Sequence, residues 1–178
     1  SGAISREANQ GFDPALNNPE DTIVRLSDGT PLFRTGALGP GVVLESTHVN
    51  LWALDAALKY RGFGISTEYF LRRLDNFQIT SGRSPYRSLF DHGGLLQLSY
   101  FFIPSKFETF ARTSFVNGRF GDGNEYGGGA NWYPRGTRDW RLTFEVLRIN
   151  HSPAQNFLTG YRAGESGTLF QLQWLTDF

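Results

Sequence analysis

The 178-residue chain is 39% hydrophobic, 15% aromatic and only 19% charged, with 17 basic against 17 acidic side chains, 21 Gly, and neither Cys nor Met. Such balanced charge supplies no global field to draw the chain to nucleic acid, and no apolar run approaches the ~18 residues that a membrane helix needs. At this length one domain is the prior, and the richness in aromatics and glycine leans towards β-structure.

No cationic, apolar leader opens the chain, and without Met residue 1 is no translation start, so the sequence is expected to begin after processing or inside a longer reading frame. The lack of Cys accords with an exported bacterial protein. Residues 1–48 hold Pro14, Pro19, Pro31 and Pro40 among many Gly, Asn and Asp. They read as a turn-rich segment with room for a short hairpin across Asp28-Gly29.

From residue 49 to 178 the pattern changes to one domain of alternating strands. VNLWALDAALKY sets Trp52, Leu54, Ala56, Leu58 and Tyr60 against Asp55, Ala57 and Lys59, and GFGISTEYFLRR sets Phe63, Ile65, Thr67, Tyr69 and Leu71 against Ser66, Glu68, Phe70 and Arg72. With only Arg61 between them, these two form a tight hairpin. After a polar stretch over 73–93, GLLQLSYFF opposes Leu96, Leu98, Tyr100 and Phe102 to Gln97, Ser99 and Phe101. The turn IPSK leads into KFETFARTSFV, with Phe107, Thr109, Ala111, Thr113 and Phe115 against Glu108, Phe110, Arg112 and Ser114.

A loop over 117–124 precedes EYGGGANWY, which sets Tyr126, Gly128, Ala130 and Trp132 against Gly127, Gly129, Asn131 and Tyr133. PRGTR then turns the chain into DWRLTFEVLRI, with Trp140, Leu142, Phe144 and Val146 against Arg141, Thr143, Glu145 and Leu147. A last loop over 150–167 leads to TLFQLQWLTDF, whose Phe170, Leu172, Trp174, Thr176 and Phe178 oppose Leu169, Gln171, Gln173, Leu175 and Asp177. One face of every strand is greasy and the other largely wet, the pattern of a strand between lipid and water. The connections read as alternately short and long, and Tyr60, Phe63, Phe102, Phe107, Trp132, Trp140 and Phe178 gather at the short-turn end as an aromatic girdle.

In their order, DAALKYRGFGISTEYFLRR, LLQLSYFFIPSKFETFARTSFV, EYGGGANWYPRGTRDWRLTFEV and the Phe-terminated last strand resemble the C-terminal half of the phosphate-selective porin O and P family. The resemblance covers residues 49–178. It implies an all-β, antiparallel transmembrane β-barrel of the outer-membrane porin type, about sixteen strands in all, in which this chain supplies about seven to eight as the C-terminal portion. It further implies a bacterial outer membrane, often a homotrimer, passage of small ions or solutes including anions such as phosphate, and a terminal Phe178 read by the barrel-assembly machinery. No cofactor, metal or reaction is expected, and no nucleic-acid partner.

The water-facing set expected from the alternation is Asp55, Lys59, Glu68, Arg72, Gln97, Glu108, Arg112, Asn131, Arg141, Glu145, Gln171 and Gln173. Its signs are mixed, which offers no ladder of cations for phosphate. Like-face neighbours such as Glu108 and Arg112 lie ~13 Å apart along a strand, so these charges would meet partners only across strands. They either set a field in a pore or brace its wall.

Other motifs are weaker. His48, His92 and His151 fall in or beside expected loops without a nucleophile in sequence register. FGDGNE lacks the spacing of a calcium loop. Tyr126-Gly127-Gly128-Gly129 has no following helix or Lys for phosphate, so close packing or strand bending explains its glycines better. Arg73, Arg83 and Arg87 share a loop with Asp75 and Asp91 and read as solvated charge. The functional expectation is a porin for passive diffusion of small hydrophilic solutes; the alternatives are a non-conducting outer-membrane β-barrel anchor and a soluble β-sandwich binding module.

Overall fold

The computed structural model describes residues 1–8, 24–137, 139–154 and 162–176. These form one antiparallel sheet of eight strands in sequence order: β1 (Gly2–Ala8), β2 (Val43–Tyr60), β3 (Phe63–Ser81), β4 (Ser88–Ile103), β5 (Phe107–Gly118), β6 (Gly121–Trp132), β7 (Trp140–Asn150) and β8 (Gly167–Thr176). There is no helix among the described residues, and none long and apolar enough to cross a membrane. The sheet is not closed: β1 and β8 are its two edges.

Turn chemistry accounts for the tightest hairpin. Arg61 and Gly62 both have positive φ, 47° and 85°, joining Tyr60 to its cross-strand partner Phe63. Two such residues in succession make the primed turn whose twist matches that of the flanking strands. Ser105, at φ 59°, does similar service between β4 and β5.

The expected rule of alternating connection lengths does not hold. β3 and β4 run on to Ser81 and from Ser88, and β5 meets β6 through Arg119-Phe120 alone, so at this end the long connections are those over 9–42 and 151–166. At the other end the connections are 61–62, 104–106 and 133–139. The polar stretches taken for loops are strand extensions. Their outward side chains are exposed while inward ones join a hydrophobic core. β2 and β3, at 18 and 19 residues, far exceed the ~9–11 that a tilted strand needs to cross a bilayer.

That core lies at one end of the sheet, here called the crown. Leu44, Leu74 and Leu89 of β2 to β4 bury themselves against Leu26, Leu32, Leu38 and Val42, all at 2% exposure or less. Phe77 and Ile79 join because a bulge at Asn76, φ 52°, resets the alternation of β3. Residues 24–42 therefore fold inward over one face of the sheet. Within them, Arg25 bridges Pro31, and the Leu26 N–H donates to the Thr30 carbonyl at 2.8 Å around the turn at Ser27–Gly29. The segment reaches far across: the Phe120 N–H donates to Ser27 Oγ at 3.2 Å, and Gly29 and Asp28 pack on Ala163 and Gly164.

Leu74 has no exposed surface and sits centrally in this cluster. Leu74→Ala is expected to cost about 2–5 kcal/mol and to release residues 24–42 first. Hydrogen exchange should show those amides losing protection before β5 to β8 do.

Candidate functional site

Cross-strand register assigns each side chain to a face. Asp55 opposes Glu68, Gln97 opposes Arg112, Glu108 opposes Asn131, and Glu145 opposes Gln171. Arg72 opposes Leu51, Lys59 opposes Gly64, Thr143 links Asn131 to Gln173, and Arg141 opposes Leu175. All twelve polar candidates thus share one face, the face that residues 24–42 cover at the crown. Phe178 lies outside the described residues. The opposite, outer face carries most of the large exposed apolar side chains, among them Leu54 at 76% and Leu172 at 70%.

The inner face is most highly organised over β5 to β7. Arg112 of β5 and Glu145 of β7 are not neighbours, because β6 runs between them, yet Arg112 Nε lies 2.6 Å from Glu145 Oε1. The residues of β6 beneath this bridge are Gly127, opposite Arg112, and Gly129, opposite Glu145. With no side chains there, the guanidinium can lie flat across the strand. A Cβ on Gly127 would press into the Val146 carbonyl and come within 2.8 Å of Leu147 Cα; one on Gly129 would stand 2.9 Å from the Phe110 ring. The glycines therefore permit both the close approach of β7 and the ion pair above it. Glu145 is 8% exposed, so removing that partner would leave a buried carboxylate uncompensated.

A second network lies nearer the turn end. Glu108 Oε2 accepts from Asn131 Nδ2 and from the Tyr133 hydroxyl, both at 3.0 Å, while the Thr143 hydroxyl donates to Asn131 Oδ1 at 2.7 Å. Burial pushes the Tyr133 phenol above its ordinary range, and the adjacent Glu108 carboxylate pushes the same way, against a smaller pull from Arg141. A third pair sits under the crown segment. Arg72 donates to Asp91 Oδ2 through Nε at 3.1 Å and Nη2 at 2.6 Å, with Asp91 3% exposed.

Asp55, Lys59 and Glu68 stand apart from these networks. They are exposed, Asp55 and Glu68 face each other directly, and no ion pair joins them to another described residue. On this face Arg112 and Glu145 are thus paired across β6, while Asp55, Lys59 and Glu68 are left open over β2 and β3.

No family model, curated protein or solved structure matches the chain. Its chemistry rests on geometry alone. Among the described residues no group of three or more His, Asp or Glu is placed to hold a metal. Asp122 of the FGDGNE stretch accepts from the Gly118 N–H at 3.3 Å within the β5–β6 turn. His48 and His92 lie inside β2 and β4, not in loops, and partner Asn76 and Tyr69.

Two readings of the sequence need correction. Asp91 is no solvated loop charge but the buried partner of Arg72; its place in the series Asp91, Gly93, Leu95, Gln97 was the available signal. Tyr133, though on the wet face, was not singled out, because its role depends on Glu108 reaching it from β5.

The glycine trough yields a direct test. Gly127→Val should destabilise by about 1–3 kcal/mol through overpacking against β7 and separate Arg112 from Glu145, whereas Ala111→Val on the exposed outer face of β5 should be close to neutral. Urea unfolding of the two variants compares them.

Proposed function

We propose that this chain is the wall of an outer-membrane porin, through which small hydrophilic solutes diffuse passively. The observation that carries the reading is the outer face. Its apolar side chains lie between two aromatic rows, one at the turn end with Tyr60, Phe63, Tyr100, Phe102, Phe107, Trp132 and Trp174, the other towards the crown with Tyr69, Phe90, Phe115 and Tyr126. Phe107 and Phe115 lie eight residues apart on β5, ~26 Å along the strand and roughly 20 Å along the normal of a barrel whose strands tilt about 40°. That is near the height of the lipid-facing band of such barrels, about 25 Å. Rows continue across strands in register: Phe107, Trp132, Leu142 and Trp174 adjoin one another on β5 to β8.

The polar inner face then meets water. The resemblance of residues 49–178 to the phosphate-selective porin O and P family points the same way, as does an open sheet with two unpaired edges that further strands would complete. On this reading about sixteen strands close the barrel, outer-membrane lipid surrounds it, and Phe178 serves the assembly machinery. The crown segment narrows the passage from within. Phosphate selectivity is not part of the proposal, because the charges of the inner face are mixed and partly paired. A non-conducting anchor remains the rival, favoured by the burial of residues 24–42 against the inner face; bilayer conductance separates the two.

Val146→Arg on the outer face, level with Ala111 midway between the two aromatic rows, is expected to cost about 2–4 kcal/mol, as for a cation near the bilayer midplane, while Gln171→Arg on the wet face of the adjoining β8 should cost far less. Equal costs in reversible unfolding from lipid vesicles would mean that the outer face does not see lipid.

Ion selectivity should follow the open charges and not the paired ones. Asp55→Asn with Glu68→Gln should move the reversal potential in a salt gradient towards anions, more than the compensating double change Arg112→Gln with Glu145→Gln moves it in either direction. The opposite ranking would place the field on the braced wall.

A further inference from the structure

Towards the crown, the aromatic row of the outer face carries two polar groups, His92 and Arg73, that neither a lipid-facing wall nor a solute path requires. Tyr69, His92 and Phe115 stand on β3, β4 and β5 with ring centroids 5.9 to 6.5 Å apart, and Phe90 stacks on His92 at 6.3 Å. Gly94 makes the floor: a Cβ there would come within 3.2 Å of the Phe115 ring and 3.3 Å of the Tyr69 ring. The Tyr69 hydroxyl lies 2.9 Å from His92 Nδ1. With Nδ1 engaged by Tyr69, Nε2 is the ring nitrogen turned away from it.

Arg73 is the cross-strand partner of Phe90 and lies beyond Tyr69 on the crown side. Asp75 holds its Nε at 3.0 Å, yet the Arg73 side chain is 55% exposed. A guanidinium so fixed keeps its remaining N–H groups outward in the fork that suits phosphate oxygens. Arg6 lies in the register row Arg6, His48, Asp75, so Arg6 and Arg73 flank the carboxylate of that row.

We propose that Arg73 and His92, set on the ring platform of Tyr69, Phe90 and Phe115, bind the phosphate of an anionic lipid headgroup at the crown-side border of the membrane. The inference rests on the reading that the outer face meets lipid. Its position favours a lipid over a free anion: the aromatic platform is continuous with the apolar band below, where acyl chains would lie, while the cation stands just outside it.

Trp52 is a built-in reporter, being two strands from His92 in the row Trp52, Leu71, His92. The full chain would be reconstituted in phosphatidylcholine vesicles containing either brominated phosphatidylglycerol or brominated phosphatidylcholine. The difference in quenching between the native chain and Trp52→Phe isolates the signal of that indole. Brominated phosphatidylglycerol should quench at a several-fold lower fraction than brominated phosphatidylcholine; Arg73→Gln should remove that preference and Arg73→Lys keep most of it, with quenching by phosphatidylcholine the same in all three. Equal quenching by both lipids in the native chain, or a preference that survives Arg73→Gln, would overturn the headgroup site while supporting insertion. A preference abolished by inorganic phosphate would overturn the lipid assignment in favour of a free anion. Absence of quenching by either lipid would overturn the membrane reading itself.

Discussion

Everything in this structure depends on keeping a period of two in phase across seven consecutive strand pairings. Most outer-face and many inner-face pairs place like with like: Leu98 against Ala111, Trp132 against Leu142 and Phe144 against Leu172 on the outside, Gln97 against Arg112 and Asn131 against Thr143 on the inside. One residue of slip in any ladder would turn an apolar face inward and a charged face outward for every strand beyond it. The irregularities fall towards strand ends, one of them between Phe101 and Ile103 beside the β4–β5 turn. Register shifts in β2 fall between Val43 and His48, at the crown, where residues 24–42 supply a private core and tolerate a different phase.

The inner face shows how charges survive on a wall whose backbone is fully committed to ladders. Arg112 and Glu145 meet over a strand stripped of side chains, Glu108 is satisfied by Tyr133 and Asn131, and Arg72 chelates Asp91 beneath the crown segment. Pairing of this kind stabilises less than it specifies, since desolvation offsets much of the Coulomb gain, but breaking one member leaves a costly orphan. The wall over β5 to β7 is therefore braced, and the exposed carboxylates of β2 and β3 are left to interact with whatever passes.

The all-β, antiparallel architecture was legible in the residues because seven strands alternate cleanly from Leu51 onward. β1 was not: Gly2–Ala8 is a short edge strand with Arg6 and Glu7 breaking any apolar rhythm. The extensions of β3 and β4 were hidden by the bulge at Asn76 and by polar residues that look like loop when only one phase is tracked. Among candidate residues, the sequence could assign faces but not partners. That Gly127 and Gly129 make room for an ion pair between β5 and β7 follows only from register, which no single strand contains.

The central claim is that one face of this sheet meets lipid and the other water, and β5 tests it most directly. The chain has no Cys, so spin labels can be placed singly at Thr109, Phe110, Ala111, Thr113 and Ser114 in vesicles. The account predicts that labels at Thr109, Ala111 and Thr113 relax with lipid-dissolved oxygen and those at Phe110 and Ser114 with a water-soluble nickel complex, alternating residue by residue. Accessibility without that alternation, or with the two faces exchanged, would contradict it.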